Sequence, residues 1–148
     1  MLKRNGADAS PELIYEMEQS DLESVERAVL TLREQKPEVR SIFCCSDFCA
    51  LRVYQACAKH GIPEDLTVMG FCGYPGGRLL APSLSTVDLQ YENIGHMAVD
   101  VLRHSDEWFG REAPCLPTPH QLIPGGSTDI GKKKTVKQQR KQEERKRK

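Results

Sequence analysis

The chain has 148 residues and a mass of 16.7 kDa, which is the size of one ordinary domain. Its composition, 39% hydrophobic and 28% charged, is typical of a globular chain, and no stretch approaches the roughly 20 apolar residues of a membrane-spanning helix. The first residues are basic but no apolar segment follows them, as it would in a secretion signal. We therefore exclude a membrane protein and expect a cytoplasmic one.

The formal net charge is zero, but the charges are divided unevenly along the chain. Residues 1–131 contain 11 basic and 19 acidic side chains, whereas residues 132–148 contain 10 basic and 2 acidic ones. The first segment predicts a folded domain. The second, with Val136 as its one aliphatic residue, predicts a disordered basic tail with nothing to bury. We favour a solvated tail, and weak, salt-sensitive binding to nucleic acid is the alternative.

The six cysteines are better explained as reduced thiols than as a disulfide framework. Three of them, Cys44, Cys45 and Cys49, fall within one apolar stretch, and no secretion signal precedes them. For zinc, the pair Cys45 and Cys49 lacks a second pair that would complete a tetrahedral site. We predict small buried hydrophobic residues and no bound metal.

The first half of the chain alternates predicted strands and helices. Glu12–Met17 reads as a strand, and a capping box of Ser20 and Glu23 begins a helix that ends before Pro37. The apolar residues of this helix recur every three or four positions: Leu22, Val25, Val29 and Leu32. Val39–Cys45 ends in a short apolar run, which is typical of a strand covered on both faces of a parallel sheet.

A second helix follows, capped by Ser46 and apolar on almost every side from Phe48 to Ala58, so it needs a partner besides the sheet. Gly61 ends this helix, residues 62–65 form a turn, and residues 66–71 form another buried strand. The predicted order is β-α-β-α-β. It indicates an α/β fold with a parallel sheet and flanking helices.

The second half continues with shorter elements. A Gly/Pro-rich loop leads to a strand at residues 84–87, and a third helix carries apolar residues at helical spacing, with Gly110 as its expected end. The apolar residues of this helix are Ile94, Met97, Ala98, Val101 and Leu102. A last strand at residues 120–123 precedes the tail.

Ligands of open parallel sheets bind beyond the carboxyl ends of the strands, which here carry Ser46 and Asp47 after one strand and Cys72 and Tyr74 after the next. The helix N-terminus adds amide donors and its dipole, so these residues could bind a polyhydroxylated or anionic small molecule. The alternative, given equal weight, is that Ser46 and Asp47 only cap the helix.

No catalytic motif is present, and the four histidines have no evident nucleophile beside them. The segment 126–133 resembles a phosphate-binding P-loop, but Lys133 stands where the magnesium-binding hydroxyl belongs. We therefore expect no enzyme activity and no cofactor.

Five short motifs, in order and at matching distances, carry a family resemblance: residues 46–50, 61–71, 82–87, 94–95 and 126–128. They resemble N-D-x-x-A, G-x-x-V-P-x-D-x-x-V-x-G-F-D, P-x-L-T-T-V, I-G and R-x-S-T, the running pattern of lactose/galactose-repressor-type transcription regulators. The resemblance covers residues 21–128, about the last third of such a regulator. It implies the C-terminal lobe of a two-lobed, dimeric, periplasmic-binding-protein-like sensor, without the N-terminal lobe and the DNA-binding helix-turn-helix.

The resemblance also implies roles for particular residues. The effector contacts of the family fall on Ser46 and Cys72, both of which depart from the pattern, while Asp47 matches it. The dimer surface falls on Leu51, Tyr54 and Gln55, on the helix that needs a second partner. The helix at residues 91–108 packs on the missing lobe in the family, so its apolar stripe, with Trp108, is expected to be exposed here.

The main hypothesis is therefore an effector-sensing domain, or a fragment of one, in which a small sugar-like molecule changes the DNA affinity of a regulator. DNA would be bound through a domain outside this chain, or weakly through the basic tail. Two alternatives stay open: a fragment of a solute-binding protein that feeds a sugar transporter, and a truncated remnant without ligand activity.

Overall fold

The computed structural model describes residues 4, 6, 10–17, 21–62, 66–109 and 116–129. No helix in these ranges is both long enough and apolar enough to span a membrane. The predicted basic tail at residues 132–148 lies outside these ranges. So does the predicted turn at residues 62–65, apart from Ile62, which is described. The elements are α1 (Leu22–Gln35), β1 (Ser41–Phe43), α2 (Asp47–Lys59), β2 (Thr67–Met69), β3 (Thr86–Asp88), α3 (Tyr91–Arg103), α4 (Ser105–Phe109) and β4 (Gln121–Ile123).

Helix α1 has the predicted buried face but a different cap. Asp21 accepts hydrogen bonds from the backbone N–H of Ser24 at 2.8 Å and from its hydroxyl at 3.1 Å. The backbone hydrogen bond lowers the pKa of the Asp21 carboxyl. The predicted capping box of Ser20 and Glu23 is therefore corrected by one residue, because Asp caps as well as Ser does; Ser20 lies outside the described ranges.

The predicted strand at Glu12–Met17 is wrong. Pro11–Leu13 forms a single 3-10 turn, and residues 14–17 pair with no strand in the described part of the chain. Pro11 favours the first position of a helical turn, and an extended segment becomes a strand only when another strand pairs with it. The described order therefore begins α-β-α-β rather than β-α-β-α-β.

The strands form two two-stranded sheets, β1–β2 and β3–β4, and isolated bridges between the end of β2 and β3 place them side by side in chain order. β1 and β2 are parallel, with Ser41 opposite Thr67. β2 runs on beside β3, where the N–H groups of Gly70 and Cys72 donate to Ser85 and Val87 at 2.9 Å. β4 is antiparallel to β3. The strands predicted at residues 39–45, 66–71, 84–87 and 120–123 are thus confirmed, at shorter lengths.

The apolar run of β1 predicted a strand covered on both faces. Within the described residues, only one face of β1 is covered. Side chains alternate from Ser41 to Cys45: positions 41, 43 and 45 are exposed, and Cys44 is buried. Phe43 is 63% exposed and meets Phe71 edge to face at 6.3 Å between ring centroids. An apolar strand flanked by no second layer keeps the one-sided alternation of a half-buried strand.

The core lies where α1 and α2 pack against each other and against the sheet. Its buried side chains are small and aliphatic, so the two helices approach closely. Cys44 and Cys49 are among them, as the sequence predicted, but the prediction of buried cysteines is wrong for Cys45, which is exposed, and for Cys57 and Cys72, which are half-buried. The cluster consists of Val25, Val29, Cys44, Cys49, Ala50, Val53, Ala56, Val68 and Leu84.

Helix α3 begins near the predicted position, but it buries no residue. Its end at Gly110 was predicted wrongly: α3 ends at Arg103, because His104 leaves helical geometry while its N–H still donates to Asp100. Gly110 itself lies outside the described ranges. Leu102 is 70% exposed and Ala98 is also exposed, whereas the other predicted residues are half-buried: Ile94, Met97, Val101 and Trp108.

Candidate functional site

The start of α2 is attached to the carboxyl end of β2. Ser46 is the predicted N-cap, and its hydroxyl accepts a hydrogen bond from the N–H of Cys49 at 3.1 Å. The N–H of Asp47 donates to the carbonyl of Phe71 at 2.8 Å. The two strand-to-loop junctions that the sequence singled out therefore lie side by side, at the edge of the sheet where parallel folds bind ligands.

The Asp47 side chain lies beneath this edge rather than on it, because only 1% of the residue is exposed. Its carboxylate accepts a hydrogen bond from the Thr86 hydroxyl at 2.6 Å and another from the backbone N–H of Tyr74. The carboxylate lies directly against Gly70. A Cβ at this position would collide with Asp47 Oδ1, so a larger residue would not fit. Asp47 thus connects α2, β3 and the loop after β2.

Cys72 occupies a constrained position in that loop. Its φ of 107° is uncommon for a residue with a side chain, and its N–H donates to Val87 at 2.9 Å. The next residue, Gly73, also has positive φ (78°), and a Cβ there would overlap Asp88. Hydrogen bonding to the half-buried Cys72 thiol raises the pKa of the Tyr91 hydroxyl.

Three exposed aromatic rings surround the edge. Tyr74 is 42% exposed and lies against Phe48, with ring centroids 4.7 Å apart and planes inclined by 34°. Phe48 and Tyr91 are 60% and 59% exposed. Sequence reasoning missed Phe48 and Tyr91, since an aromatic residue in an apolar helix pattern is most simply assigned to the core. The signal that could have found Phe48 is its position in the first turn of α2, next to Asp47.

Asp88 provides an acidic group beside Cys72. An isolated parallel bridge pairs Cys72, in the loop after β2, with Asp88 of β3, and the half-buried Asp88 accepts a hydrogen bond from the N–H of Gln90 at 2.8 Å. Gln90 adopts left-handed backbone geometry, with a φ of 51°, at the start of α3. The sequence did not single out Asp88 because it lies in a strand rather than in a recognised motif.

The site is an open surface in the described part of the chain. The neighbouring cavity, lined by Gly73, Tyr74, Arg78 and Asp88 among others, encloses only about 10 Å³. Two larger grooves, of about 480 and 470 Å³, lie along α1 and β1, away from these polar groups. The described residues contain no group of three or more potential metal ligands.

The predicted dimer residues lie together on α2, one helical turn from the candidate site. Leu51 is half-buried and Gln55 is exposed, with its side-chain oxygen accepting from Arg52 at 3.1 Å. Tyr54 is half-buried, and its hydroxyl donates to the carbonyl of Pro82 at 3.1 Å. Burial raises the pKa of Tyr54. Their part in a dimer stays a prediction.

Residues 1–128 match the family of periplasmic binding protein-like domains. The ribose operon repressor of Haemophilus influenzae is 36% identical over 84 residues, which are 55% of this chain and 25% of the repressor. The transcriptional repressor PurR of Haemophilus influenzae strain PittEE is 30% identical over 100 residues, 64% of this chain and 29% of PurR. The chain thus spans about a quarter of the curated relatives that it matches.

Solved structures agree with the sequence relatives. The LacI family transcriptional regulator from Arthrobacter sp. FB24, in complex with lactose, has a TM-score of 0.71 and 31% identity, over 86% of this chain and 47% of that chain. The transcriptional regulator LacI from Bacillus cereus subsp. cytotoxis has a TM-score of 0.73 and 26% identity, over 85% and 45%. The fold is therefore about half of a periplasmic-binding-protein-like domain.

Proposed function

Because the chain belongs to the family of periplasmic binding protein-like domains, and its relatives are LacI-family regulators, we propose that it forms part of the effector-sensing domain of such a regulator. A small sugar-like effector would bind at the edge formed by Ser46, Cys72 and Tyr74. The role of this edge would be to bind the effector and not to catalyse a reaction. The proposal implies a cytoplasmic protein, because the DNA that a regulator binds lies there.

The observation that carries the proposal is the buried carboxylate of Asp47. By accepting from Thr86 and from the Tyr74 N–H, it fixes the loop after β2 against the start of α2. A positioned loop presents the polar groups and the aromatic rings in one arrangement, which lowers the entropy lost on binding. The sequence predicted that Asp47 would contact the effector; we propose instead that it positions the residues that do.

Asp88 is the second part of the proposal. The family pattern predicts a carboxylate at position 72, where this chain has a cysteine, and a thiol is a weak acceptor for sugar hydroxyls. Asp88 is bridged to Cys72 and places a carboxylate on the neighbouring strand. We assign the hydroxyl-accepting role to Asp88, with the exposed rings of Tyr74, Phe48 and Tyr91 contacting the apolar faces of the ligand.

Thermal unfolding with and without ligand tests this site. The panel comprises lactose, ribose, purine nucleosides and sugar phosphates. A ligand that binds only the native chain raises the free energy of unfolding by about 2.7 kcal/mol at 100 times its Kd. Tyr74→Ala should abolish the rise, whereas Tyr15→Ala, which removes a similarly exposed ring beside α1, should preserve it.

Asp88→Asn separates the two parts of the proposal. Loss of the rise for polyhydroxylated ligands supports the acceptor role of Asp88. An unchanged rise in Asp88→Asn with a lost rise in Tyr74→Ala would retain the site and overturn that role. No rise with any ligand class would contradict the effector site and favour a remnant without ligand activity.

We also propose a homodimer through Leu51, Tyr54 and Gln55 on α2. Leu51→Lys should convert dimer to monomer in sedimentation velocity, because it places an unpaired charge in the interface. Leu30→Lys is the matched control, since Leu30 is a 39% exposed leucine on α1. A dimer that persists in Leu51→Lys, or a wild-type monomer, would exclude this interface.

DNA binding would belong to a helix-turn-helix domain outside this sequence, with the basic segment 132–148 as a weak, non-specific alternative. Deletion of residues 132–148 should abolish any filter-retained DNA binding of this chain at low salt. Binding that survives the deletion would show that the folded part contacts DNA.

A further inference from the structure

Three thiols line one groove where β1 ends and α2 begins. Cys44 and Cys49 are buried, at 3% and 5% exposure, whereas Cys45 between them is exposed. All three line the groove of about 470 Å³ along β1, whose remaining walls are mostly apolar side chains of α1 and residues 13–17. The cluster therefore has one thiol open to solvent and two in the core, within six residues of sequence.

The environment of Cys49 favours its thiolate. Cys49 is the third residue of α2, where the helix dipole stabilises an anion. Hydrogen bonds from the thiols of Cys44 and, more weakly, Cys45 lower the pKa of Cys49 to about 7, although burial opposes this. The same contact with Cys49, together with burial, raises the pKa of Cys44. Near neutral pH Cys49 is the nucleophile, and Cys44 keeps its proton.

We propose that Cys45 and Cys49 form a covalent modification site for small-molecule disulfides, in which exposed Cys45 captures the disulfide and Cys49 closes an internal bond. Cys45 captures the disulfide in this proposal because the thiols of Cys44 and Cys49 are buried. Closure is assigned to Cys49 because it lines the same groove as Cys45 and lies four residues after it in the chain. The chemistry does not depend on an effector binding to the candidate site.

The reaction consists of two thiol–disulfide exchanges. In the first, the Cys45 thiolate attacks one sulfur of the disulfide RSSR, the S–S bond breaks, and RS⁻ leaves and takes up a proton. In the second, the Cys49 thiolate attacks the Cys45 sulfur of the mixed disulfide, and the second RS⁻ leaves. Two protein thiols are oxidised, and one small disulfide is reduced to two small thiols.

Oxidised glutathione is the probe that tests the site on the full chain. The reduced protein is incubated with it at pH 7.5, alkylated and digested with trypsin, which leaves the three cysteines together in the peptide of residues 41–52. The expected product lacks two hydrogens and carries one alkyl group instead of three. A peptide with three alkyl groups, or with glutathione still attached as the end product, would overturn the proposal.

Single variants identify the pair. Cys49→Ser should accumulate glutathione on Cys45, Cys45→Ser should leave residues 41–52 unmodified, and Cys44→Ser should still form the internal bond. Cys57→Ser, a half-buried cysteine later in α2, is the control and should behave as wild type. An internal bond that forms in Cys45→Ser, or fails in Cys44→Ser with native circular dichroism, would assign the site to a different pair.

The pH dependence of closure in the wild-type protein needs no variant. Mixed disulfide is formed at low pH with 2,2′-dithiodipyridine, an activated disulfide with which thiols react even in acid, and is transferred to a series of higher pH values. The rate of closure should rise about tenfold per unit below pH 7 and level off above it, as the thiolate of Cys49 forms. A rate that keeps rising up to pH 9 would show that an ordinary thiol closes the bond and would overturn the role of Cys49.

Discussion

Helices α2 and α3 are both 13 residues long and both rich in apolar residues, α2 on almost every side and α3 along one stripe, yet the structure uses them differently. α2 buries five residues, including Ala50 and Ala56 at 0% exposure. α3 buries none, and its Val99 and Leu102 are 51% and 70% exposed. Periodicity therefore identifies the apolar face of a helix, but only the neighbouring elements determine whether that face is buried.

The same difference separates the β2–β3 junction from the edge strand β1. Between β2 and β3 the backbone is paired and Asp47 fills the space beneath, whereas β1 pairs with β2 alone in the described residues. In the described part of the chain, α3 buries no residue and β1 has a strand on one side only.

The largest effect should come from removing the carboxylate that joins the packed elements. Asp47→Ala leaves the Thr86 hydroxyl and the Tyr74 N–H without an acceptor, which should cost about 3 kcal/mol of unfolding free energy. Urea denaturation measures it. Asp106→Ala, on exposed α4, is the control and should change the value by less than about 0.5 kcal/mol. Equal losses in the two variants would refute the structural role of Asp47.

The comparison of α2 and α3 can be tested with one substitution at two positions. Val53→Ala should cost about 2 kcal/mol, because Val53 is 3% exposed in the core. Val99→Ala should be neutral or slightly stabilising, since alanine favours helix and Val99 loses no packing. A loss at Val99 as large as that at Val53 would mean that α3 has a partner in this chain.

A third variant addresses the apolar surface of α3. Leu102→Lys should raise the concentration at which aggregation begins by several-fold. The added charge interrupts the exposed apolar stripe of α3. The unfolding free energy should change by less than about 0.5 kcal/mol. Light scattering over a concentration series measures the effect, and Arg103→Lys is a neutral control. Unchanged aggregation would indicate that the chain does not self-associate through this stripe.

The smallest effect should come from the ion pairs that join α1 to the end of α2. Hydrogen bonds from Lys59 and His60 lower the pKa of Glu26 below its usual 4.5. A depressed pKa stabilises the fold above pH 4.5 and loses that contribution as the pH falls through the folded-state value. Glu26→Gln should therefore melt slightly below wild type at pH 6, and the gap should close below pH 4. A gap that widens in acid would reverse the assignment.

Local patterns predicted the elements that contact their chain neighbours. The helix ending before Pro37, the cap at Ser46, the end at Gly61 and the buried strand at residues 66–71 depend on short-range chemistry, and the structure confirms them. The strand at residues 12–17 failed because pairing is long-range, and no strand of the described residues lies beside it.

The candidate site was predictable in part for the same reason. Ser46, Asp47, Cys72 and Tyr74 follow from the rule that ligands lie beyond strand ends. The burial of Asp47 did not follow, because it depends on Thr86, which is distant in sequence. Asp88 and Tyr91 reach the edge through the bridge of β3 to the loop after β2 and through the start of α3, which no local pattern shows.

Native-state hydrogen exchange on the purified chain tests most directly whether α2, which packs in the core, and α3, which buries no residue, differ in local stability. The account predicts that amides of α2 exchange only through global unfolding, with protection equal to the unfolding free energy from urea. Amides of α3 should exchange orders of magnitude faster, because no buried contact holds that helix. Equal protection of the two helices would contradict the account, since α3 would then be part of the same cooperative core.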